Sequence, residues 1–228
     1  MKEQKGIIFA ADIEEKQSLL NIIQKISPYI KAIKLGNVAL YKNGWSMIKE
    51  IKEFTDRPII VDLKLMDIPE IAQRLTISAI NAGADGMMVC GITGEETICD
   101  CLSIIKHVDK MLFIFTQFTH DTGLISDEMA NEYIDLAIKL TCDGIQVPGT
   151  RLERITEARE KVGNRLMVIS CGIGAQGPQY GSAIQAGADY EIIGRQIYNS
   201  KKPEDEACKA RDQILGIMKA QSFKLGEN

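Results

Sequence analysis

Three charged residues follow one apolar segment at a spacing that suits acid–base chemistry. Asp62, Lys64 and Asp67 come soon after the apolar stretch 59–61. If that stretch is a β-strand, Asp62 and Lys64 project to the same side, about 7 Å apart. A carboxylate and an amine at the end of a buried strand are costly to desolvate unless they are paired. We therefore interpret these residues as the chemical groups of a site.

The elements that must position these residues read as a strand followed by a helix, repeated along the whole chain. The strand candidates are short apolar segments without alternation, as expected where both faces of a parallel sheet are buried. They cover residues 6–11, 32–35, 58–63, 86–90, 111–116, 144–147, 166–170 and 191–193. The main helical patterns cover residues 18–26, 38–54, 70–82, 95–107, 126–140, 151–162 and 204–220.

Eight such units in 228 residues predict a TIM (β/α)8 barrel, with residues 1–228 forming a single domain. The alternative is an open, doubly wound sheet, but nothing in the sequence marks a reversal of strand order. In a barrel, functional groups lie at the C-terminal ends of the strands. Asp12, Lys34, Asp62 and Lys64 would then surround one mouth with charges of alternating sign.

A glycine-rich loop follows the seventh strand and matches Gly-x-Gly-x-x-Gly at Gly172, Gly174 and Gly177. A dinucleotide site is a weak interpretation, because that fingerprint normally opens its domain and this loop follows six strands. The loops after strands 7 and 8 of barrels often bind phosphate through backbone N–H groups. Gln176 and Arg195 add donors suited to phosphate oxygens. The remaining alternative is a flexible loop without a ligand.

Composition excludes several other classes of protein. A net charge of −4 with scattered lysines and arginines argues against a nucleic-acid partner. No apolar run reaches about 18 residues, so no membrane span is expected. Six cysteines without a Cys-x-x-Cys pair predict reduced thiols and a cytoplasmic location. With only two histidines, a histidine-rich metal site is excluded.

Taken together, the polar motifs resemble those of the orotidine 5′-phosphate decarboxylase family. The matching segments are Ala11-Asp12, Lys34-Leu35-Gly36, Asp62-x-Lys64-x-x-Asp67-Ile68-Pro69, Gly172-Ile173-Gly174-Ala175-Gln176-Gly177 and Gly194-Arg195-Gln196-Ile197-Tyr198. The likeness extends over most of the chain. Within the family, the sequence is most similar to the short archaeal-type enzymes. Asp-x-Lys-x-x-Asp alone defines a wider group that includes keto-gulonate phosphate decarboxylase and hexulose phosphate synthase. The Asp-Ile-Pro and Gly-Ala-Gln-Gly segments favour the narrower family.

The resemblance implies conversion of orotidine 5′-monophosphate to UMP and CO2, a step of pyrimidine biosynthesis, without a metal or organic cofactor. It implies that Lys64 is the general acid that protonates C6 of the pyrimidine. Asp62 would lie near the departing carboxylate, and Lys34 would hold Asp62 and the ribose. Asp12 would bind a ribose hydroxyl, and Thr119 would contact the pyrimidine amide.

The resemblance also implies how the phosphate and a second subunit would be bound. Gln176 and Arg195 would hold the phosphate together with Gly174 and Gly194 of the two loops, and Tyr198 is a further candidate. Asp67 would cross the interface of a homodimer and reach the partner's ribose.

Three positions depart from the pattern of that family. Ile71 replaces the usual threonine, which puts one hydrogen bond to the partner subunit in doubt. Cys171 replaces the usual proline before the phosphate loop, and Cys90 replaces a common histidine.

Two alternatives therefore stay open at this point. One is a Mg²⁺-dependent decarboxylase or aldolase of keto-sugar phosphates, in which the acids after strand 3 would bind the metal. The other is a barrel that binds a nucleotide or sugar phosphate without turnover.

Overall fold

Eight parallel strands pair in sequence order and close into a barrel, which confirms the predicted TIM fold. The computed structural model describes residues 5–120 and 122–226, with side chains described as far as residue 221. The prediction of one domain over residues 1–228 includes positions outside this range and stays a prediction. The strands are β1 Gly6–Ala10, β2 Ala32–Gly36, β3 Ile59–Leu65, β4 Gly86–Cys90, β5 Met111–Phe115, β6 Gly144–Pro148, β7 Met167–Cys171 and β8 Tyr190–Ile193.

Helices cover the outside of the barrel between successive strands. They are α1 Lys16–Ile26, α2 Asn37–Asn43, α3 Ser46–Lys52, α4 Pro69–Asn81, α5 Gly94–His107, α6 Asp127–Lys139, α7 Leu152–Val162, α8 Ser182–Ala186, α9 Arg195–Tyr198 and α10 Pro203–Gly226. The single helix predicted over residues 38–54 is wrong, because two helices meet at Gly44. That glycine has φ +70°, a conformation that ends a helix and that side chains rarely adopt. Among the described helices, none combines the length and hydropathy of a membrane span.

Large apolar side chains fill the barrel interior. Ile8, Ile60, Phe113 and Tyr190 are each no more than 2% exposed and belong to one inward-facing cluster. A second and larger apolar cluster lies between the strands and the surrounding helices. Each strand is therefore buried on both faces, which explains its continuous apolar sequence. The polar residues of the barrel interior lie towards the C-terminal ends of the strands.

A buried carboxylate on β8 fixes the segment that follows the β7 loop. Glu191 is fully buried, and its oxygens accept hydrogen bonds from the backbone N–H groups of Gly181 at 2.8 Å and Ala183 at 2.9 Å. Burial raises the pKa of this carboxyl group, while the backbone donors act in the opposite direction. The contacts attach the start of α8 to the barrel, so the loop at residues 172–179 is anchored at both ends.

Candidate active site

Asp62 is the centre of an ion cluster at the C-terminal end of the barrel. Its side chain is 1% exposed and lies between two amines. Lys34 Nζ is 3.0 Å from Asp62 Oδ2, and Lys64 Nζ is 2.6 Å and 2.5 Å from the two carboxylate oxygens. The side chain of Lys64 keeps 31% of its surface exposed, so one of the two amines stays accessible from the cavity.

The backbone of Lys64 departs from the regular strand that the sequence predicted. Its φ is +48°, in the left-handed region, and the register of β3 against β4 shifts between Val61 and Leu65. A bulge of this kind redirects a side chain at the end of a strand. A non-glycine residue in this region stores strain, which proteins retain mainly at functional positions. The bulge turns the Lys64 amine back onto the Asp62 carboxylate.

Lys34 links Asp62 to a second carboxylate, that of Asp12. Lys34 Nζ is 3.7 Å from Asp12 Oδ1, and the Asp12 side chain is 35% exposed at the edge of the cavity. Gly36 leaves the space for this contact, because a Cβ atom there would lie 2.6 Å from Asp12 Oδ1. The structure thus brings the four predicted charges together in alternating order.

The electrostatics of the cluster keep its buried members ionised. Burial alone would raise the pKa of Asp62, but the charges and hydrogen bonds of Lys34 and Lys64 lower it to about 2. Burial opposes the charge on Lys34, yet the carboxylates of Asp62 and Asp12 raise the pKa of that amine above its ordinary value. The cluster therefore holds its charges in place at neutral pH.

The ion cluster forms one wall of an open cavity of about 210 Å³. Four of the other predicted site residues line the same cavity, namely Thr119, Gln176, Gly194 and Arg195. The cavity therefore extends from the charged wall to the loops that follow β7 and β8. A ligand with polar groups for the ion cluster and an anionic group for Arg195 fits this distribution of groups.

The loop after β7 places donors at the far side of the cavity. Gly172 has φ +91°, a backbone conformation that side chains rarely adopt, so glycine is strongly favoured in this loop. Arg195 is exposed at the cavity edge. Within the described residues, its guanidinium has no ion-pair or hydrogen-bond partner. An unpaired guanidinium beside a loop of backbone amides suits an anionic group.

Two predicted site residues do not line this cavity. The backbone N–H of Gly174 donates to the carbonyl oxygen of Pro178 at 2.8 Å, so this glycine contributes to the fold of the loop. Asp67 is exposed on the loop after β3, where its carboxylate accepts a hydrogen bond from Ile68 N at 2.8 Å. Asp67 thus does not contribute to the cavity of its own chain.

The structure also adds residues to the site that the sequence prediction did not include. Lys64 Nζ lies 5.0 Å from the centre of the Phe115 ring, a distance at which a cation interacts with an aromatic face. Phe118 and Gln146 line the same cavity. Phe115 and Phe118 lie at and just after the end of β5, whereas Gln146 lies within β6, and none of these side chains carries a charge that marks it.

The geometry does not fit a metal site of the kind considered above. Among the residues that the structure describes, no three histidine, cysteine or acidic side chains are grouped to hold a metal ion. Asp62 engages both of its oxygens with lysine amines, and the Asp67 carboxylate accepts from Ile68 N and does not line the cavity.

Asp62→Asn tests whether the ion cluster also stabilises the fold. The change leaves the buried Lys34 amine without its nearest carboxylate, so we expect a loss of about 3 kcal/mol in the free energy of unfolding at pH 7. The stabilising contribution of ionised Asp62 is complete above its ordinary pKa of 3.8 and is lost as the pH falls towards 2. The difference between wild type and variant should therefore shrink in denaturant titrations below pH 4. A constant difference between pH 7 and pH 3 contradicts this account.

Comparison with known proteins identifies the family. The family model described as "Orotidine 5'-phosphate decarboxylase / HUMPS family" matches residues 5–210. The chain belongs to this family. It is 33% identical to the orotidine 5′-phosphate decarboxylase of Methanosarcina mazei over 222 residues, which cover 97% of this chain and 100% of the relative. It is 34% identical to the protein of that name from Pyrococcus furiosus, over 91% of this chain and 97% of the relative.

Solved structures of orotidine 5′-phosphate decarboxylases show the same fold. The Methanocaldococcus jannaschii enzyme complexed with the inhibitor BMP superposes with a TM-score of 0.87 at 30% identity, covering 93% of this chain and 99% of that chain. The Pyrococcus horikoshii enzyme gives a TM-score of 0.84 at 30% identity, over 91% and 98% of the two chains. The family resemblance read from the motifs is therefore confirmed.

Proposed function

We propose that this protein decarboxylates orotidine 5′-monophosphate to UMP and CO2. The observation that carries the proposal is the Asp62 carboxylate between two lysine amines in the wall of a cavity that Arg195 and Gln176 also line. Membership of the decarboxylase family over nearly the whole chain supports the same reaction.

Lys64 is proposed as the general acid. Loss of CO2 leaves a carbanion at C6 of the pyrimidine, and the ring offers that charge little delocalisation. An ammonium group already fixed at that carbon stabilises the developing charge and then supplies the proton. Asp62 holds the amine at 2.5 Å, so the donor needs no reorganisation during the reaction. The substrate carboxylate lies beside the Asp62 carboxylate, and the repulsion between these two anions is relieved as CO2 leaves.

The remaining charged residues are proposed to bind the ribose and the base. Asp12 is partly exposed at the cavity edge, and its carboxylate accepts a hydrogen bond from a ribose hydroxyl. Lys34 forms ion pairs with both Asp12 and Asp62. Thr119 lines the cavity and contacts the pyrimidine amide.

The phosphate is proposed to lie between the loops that follow β7 and β8. Arg195 supplies a guanidinium that is unpaired within the described residues, and Gln176 and Gly194 line the same part of the cavity. Gly174 contributes through the turn of the loop, since its N–H is already bound to Pro178. Binding energy from this remote group helps to hold the reacting end in place.

We further propose a homodimer in which Asp67 reaches the partner's active site. Large apolar side chains are exposed on either side of Asp67 in the sequence, with Met66 at 65% and Ile68 at 62%, and Tyr41 of α2 is 81% exposed. These residues follow the adjacent strands β2 and β3, so they lie on the same side of the barrel rim. Exposed apolar surface of this kind marks an interaction site. Sedimentation equilibrium tests the proposal, and a monomer mass at assay concentrations would contradict it.

The decisive experiment for the function is a decarboxylation assay that follows the loss of orotidine 5′-monophosphate absorbance. We expect turnover that is unchanged by EDTA, because no residue of the proposed mechanism binds a metal. Activity that is lost to EDTA and restored by Mg²⁺, with a keto-sugar phosphate as substrate, would favour the metal-dependent lyase. Binding of UMP by folded protein without any turnover would favour a nucleotide-binding barrel. Either result rejects the proposed function.

A further inference from the structure

The cavity wall near Lys64 contains a buried carboxamide, that of Gln146. This residue lies on β6 and is only 2% exposed, although its neighbours Ile145 and Val147 are apolar. It lines the cavity, next to Phe115, its register partner on β5. A buried amide among apolar side chains is costly unless its groups find hydrogen-bond partners. Gln146 therefore needs an explanation that packing alone does not give.

Cys171 fixes the orientation of this carboxamide. Gln146 Nε2 donates to Cys171 Sγ at 3.2 Å. A primary amide has two N–H groups and a carbonyl oxygen, and a thiol is a weak acceptor. Within the described residues, the Gln146 side chain makes no other hydrogen bond. The amide thus keeps one N–H donor and its oxygen for a ligand in the cavity.

The two neighbours of Gln146 both face the ion cluster. Phe115 presents its ring to Lys64 Nζ at 5.0 Å. The Cys171 thiol is close enough to Lys64, Asp62 and Lys34 for their charges to influence it, although burial dominates and raises its pKa to about 11. Since Gln146 lies between Phe115 and Cys171, it faces the end of the cavity where Lys64 acts. The groups proposed for phosphate binding, Gln176 and Arg195, belong to the loops after β7 and β8.

We infer that Gln146 donates a hydrogen bond to the carboxylate that the substrate loses, and that Cys171 holds its amide in position. The inference rests on the proposed function. The carbon that Lys64 protonates carries this carboxylate, so the wall beside Lys64 is the surface that the carboxylate meets. A neutral donor there partly offsets the repulsion between the carboxylate and Asp62.

This role makes Gln146 a specificity residue for the substrate over the product. The hydrogen bond is present when the carboxylate is bound and is lost as CO2 leaves. An interaction of the ground state raises affinity without raising the rate of the chemical step. Removal of the amide is therefore expected to raise KM and not to lower kcat.

The test compares Gln146→Leu with wild type, using two non-reacting nucleotides as probes. UMP lacks a substituent at C6, and its 6-carboxamide derivative carries a carbonyl oxygen there. By isothermal titration calorimetry, the variant should bind the 6-carboxamide about tenfold more weakly and UMP within about twofold of wild type. With orotidine 5′-monophosphate, KM should rise by about the same tenfold with kcat not reduced. Cys171→Ala should also weaken binding of the 6-carboxamide relative to binding of UMP, but by a smaller factor.

The outcomes distinguish this inference from the proposed function. Equal weakening of both nucleotides would indicate a packing role for Gln146 and overturn the inference, as would a fall in kcat at constant KM. If wild-type protein bound neither nucleotide, the proposed function would fail and the inference with it. Gln146→Met preserves side-chain length and serves as the second variant if Gln146→Leu does not fold.

Discussion

Lys64→Ala is expected to abolish turnover and to leave nucleotide binding largely intact. The change removes both the proton donor and the positive charge next to the developing carbanion. General acids and preorganised charges each contribute factors of about 10² to 10⁴, so we expect kcat to fall by at least about 10⁴-fold. The phosphate and ribose contacts involve other residues, and the Kd of UMP should change by less than about fivefold. Steady-state kinetics and calorimetry on the same preparation measure the two effects.

Lys49→Ala is a matched control for this experiment. Lys49 is exposed on α3, away from the cavity, so its removal should leave kcat and the Kd of UMP unchanged. The backbone strain at position 64 does not complicate the comparison, because alanine and lysine share the same steric restriction at positive φ. If Lys64→Ala lost rate and affinity in equal proportion, the residue would act in binding and the proposed role would be wrong.

Arg195→Ala is expected to act mainly on binding. The guanidinium is unpaired within the described residues and is proposed to bind two phosphate oxygens, which makes its loss costly to affinity. A hydrogen bond to a charged group is worth about 1.5–3 kcal/mol, and at this exposed position water partly replaces the second contact, so KM should rise by about 10- to 100-fold. The change in kcat should be much smaller, since Arg195 follows β8 and is not part of the ion cluster of Lys64 and Asp62.

Uridine, which lacks the phosphate, provides the control for Arg195. In wild type, UMP should bind far more tightly than uridine. Arg195→Ala should reduce the ratio of the Kd of uridine to the Kd of UMP by about 10- to 100-fold, the same factor by which it raises KM. Arg195→Lys keeps the charge without the planar fork and should give an intermediate ratio. An unchanged ratio of the two affinities would show that the phosphate is bound elsewhere.

The barrel and its charged mouth could be predicted from sequence because both follow from simple rules. Continuous apolar strands separated by helices indicate a parallel sheet buried on both faces, and strand ends fix where polar side chains meet. Asp12, Lys34, Asp62 and Lys64 are each placed by this rule at one end of the barrel. Their mutual distances confirm that the four charges form one cluster.

The parts that sequence did not reveal depend on backbone irregularity and on neutral groups. The left-handed backbone of Lys64 interrupts the alternation of side chains along β3. The sequence has no glycine at this position that would have indicated such a conformation. Gln146 sits in a short apolar segment, where one amide does not alter the strand pattern. Asp67 is proposed to act in a second subunit, so its role stays a proposal.

A crystal structure of the protein with UMP, grown in the presence of Mg²⁺, would show whether Lys64 is placed to protonate the pyrimidine. We expect the Lys64 amine within about 3.5 Å of C6 of the pyrimidine, with the Asp62 carboxylate still bound to both lysines and no metal between them. A Lys64 side chain turned towards bulk solvent, or a Mg²⁺ ion coordinated by Asp62, would contradict it.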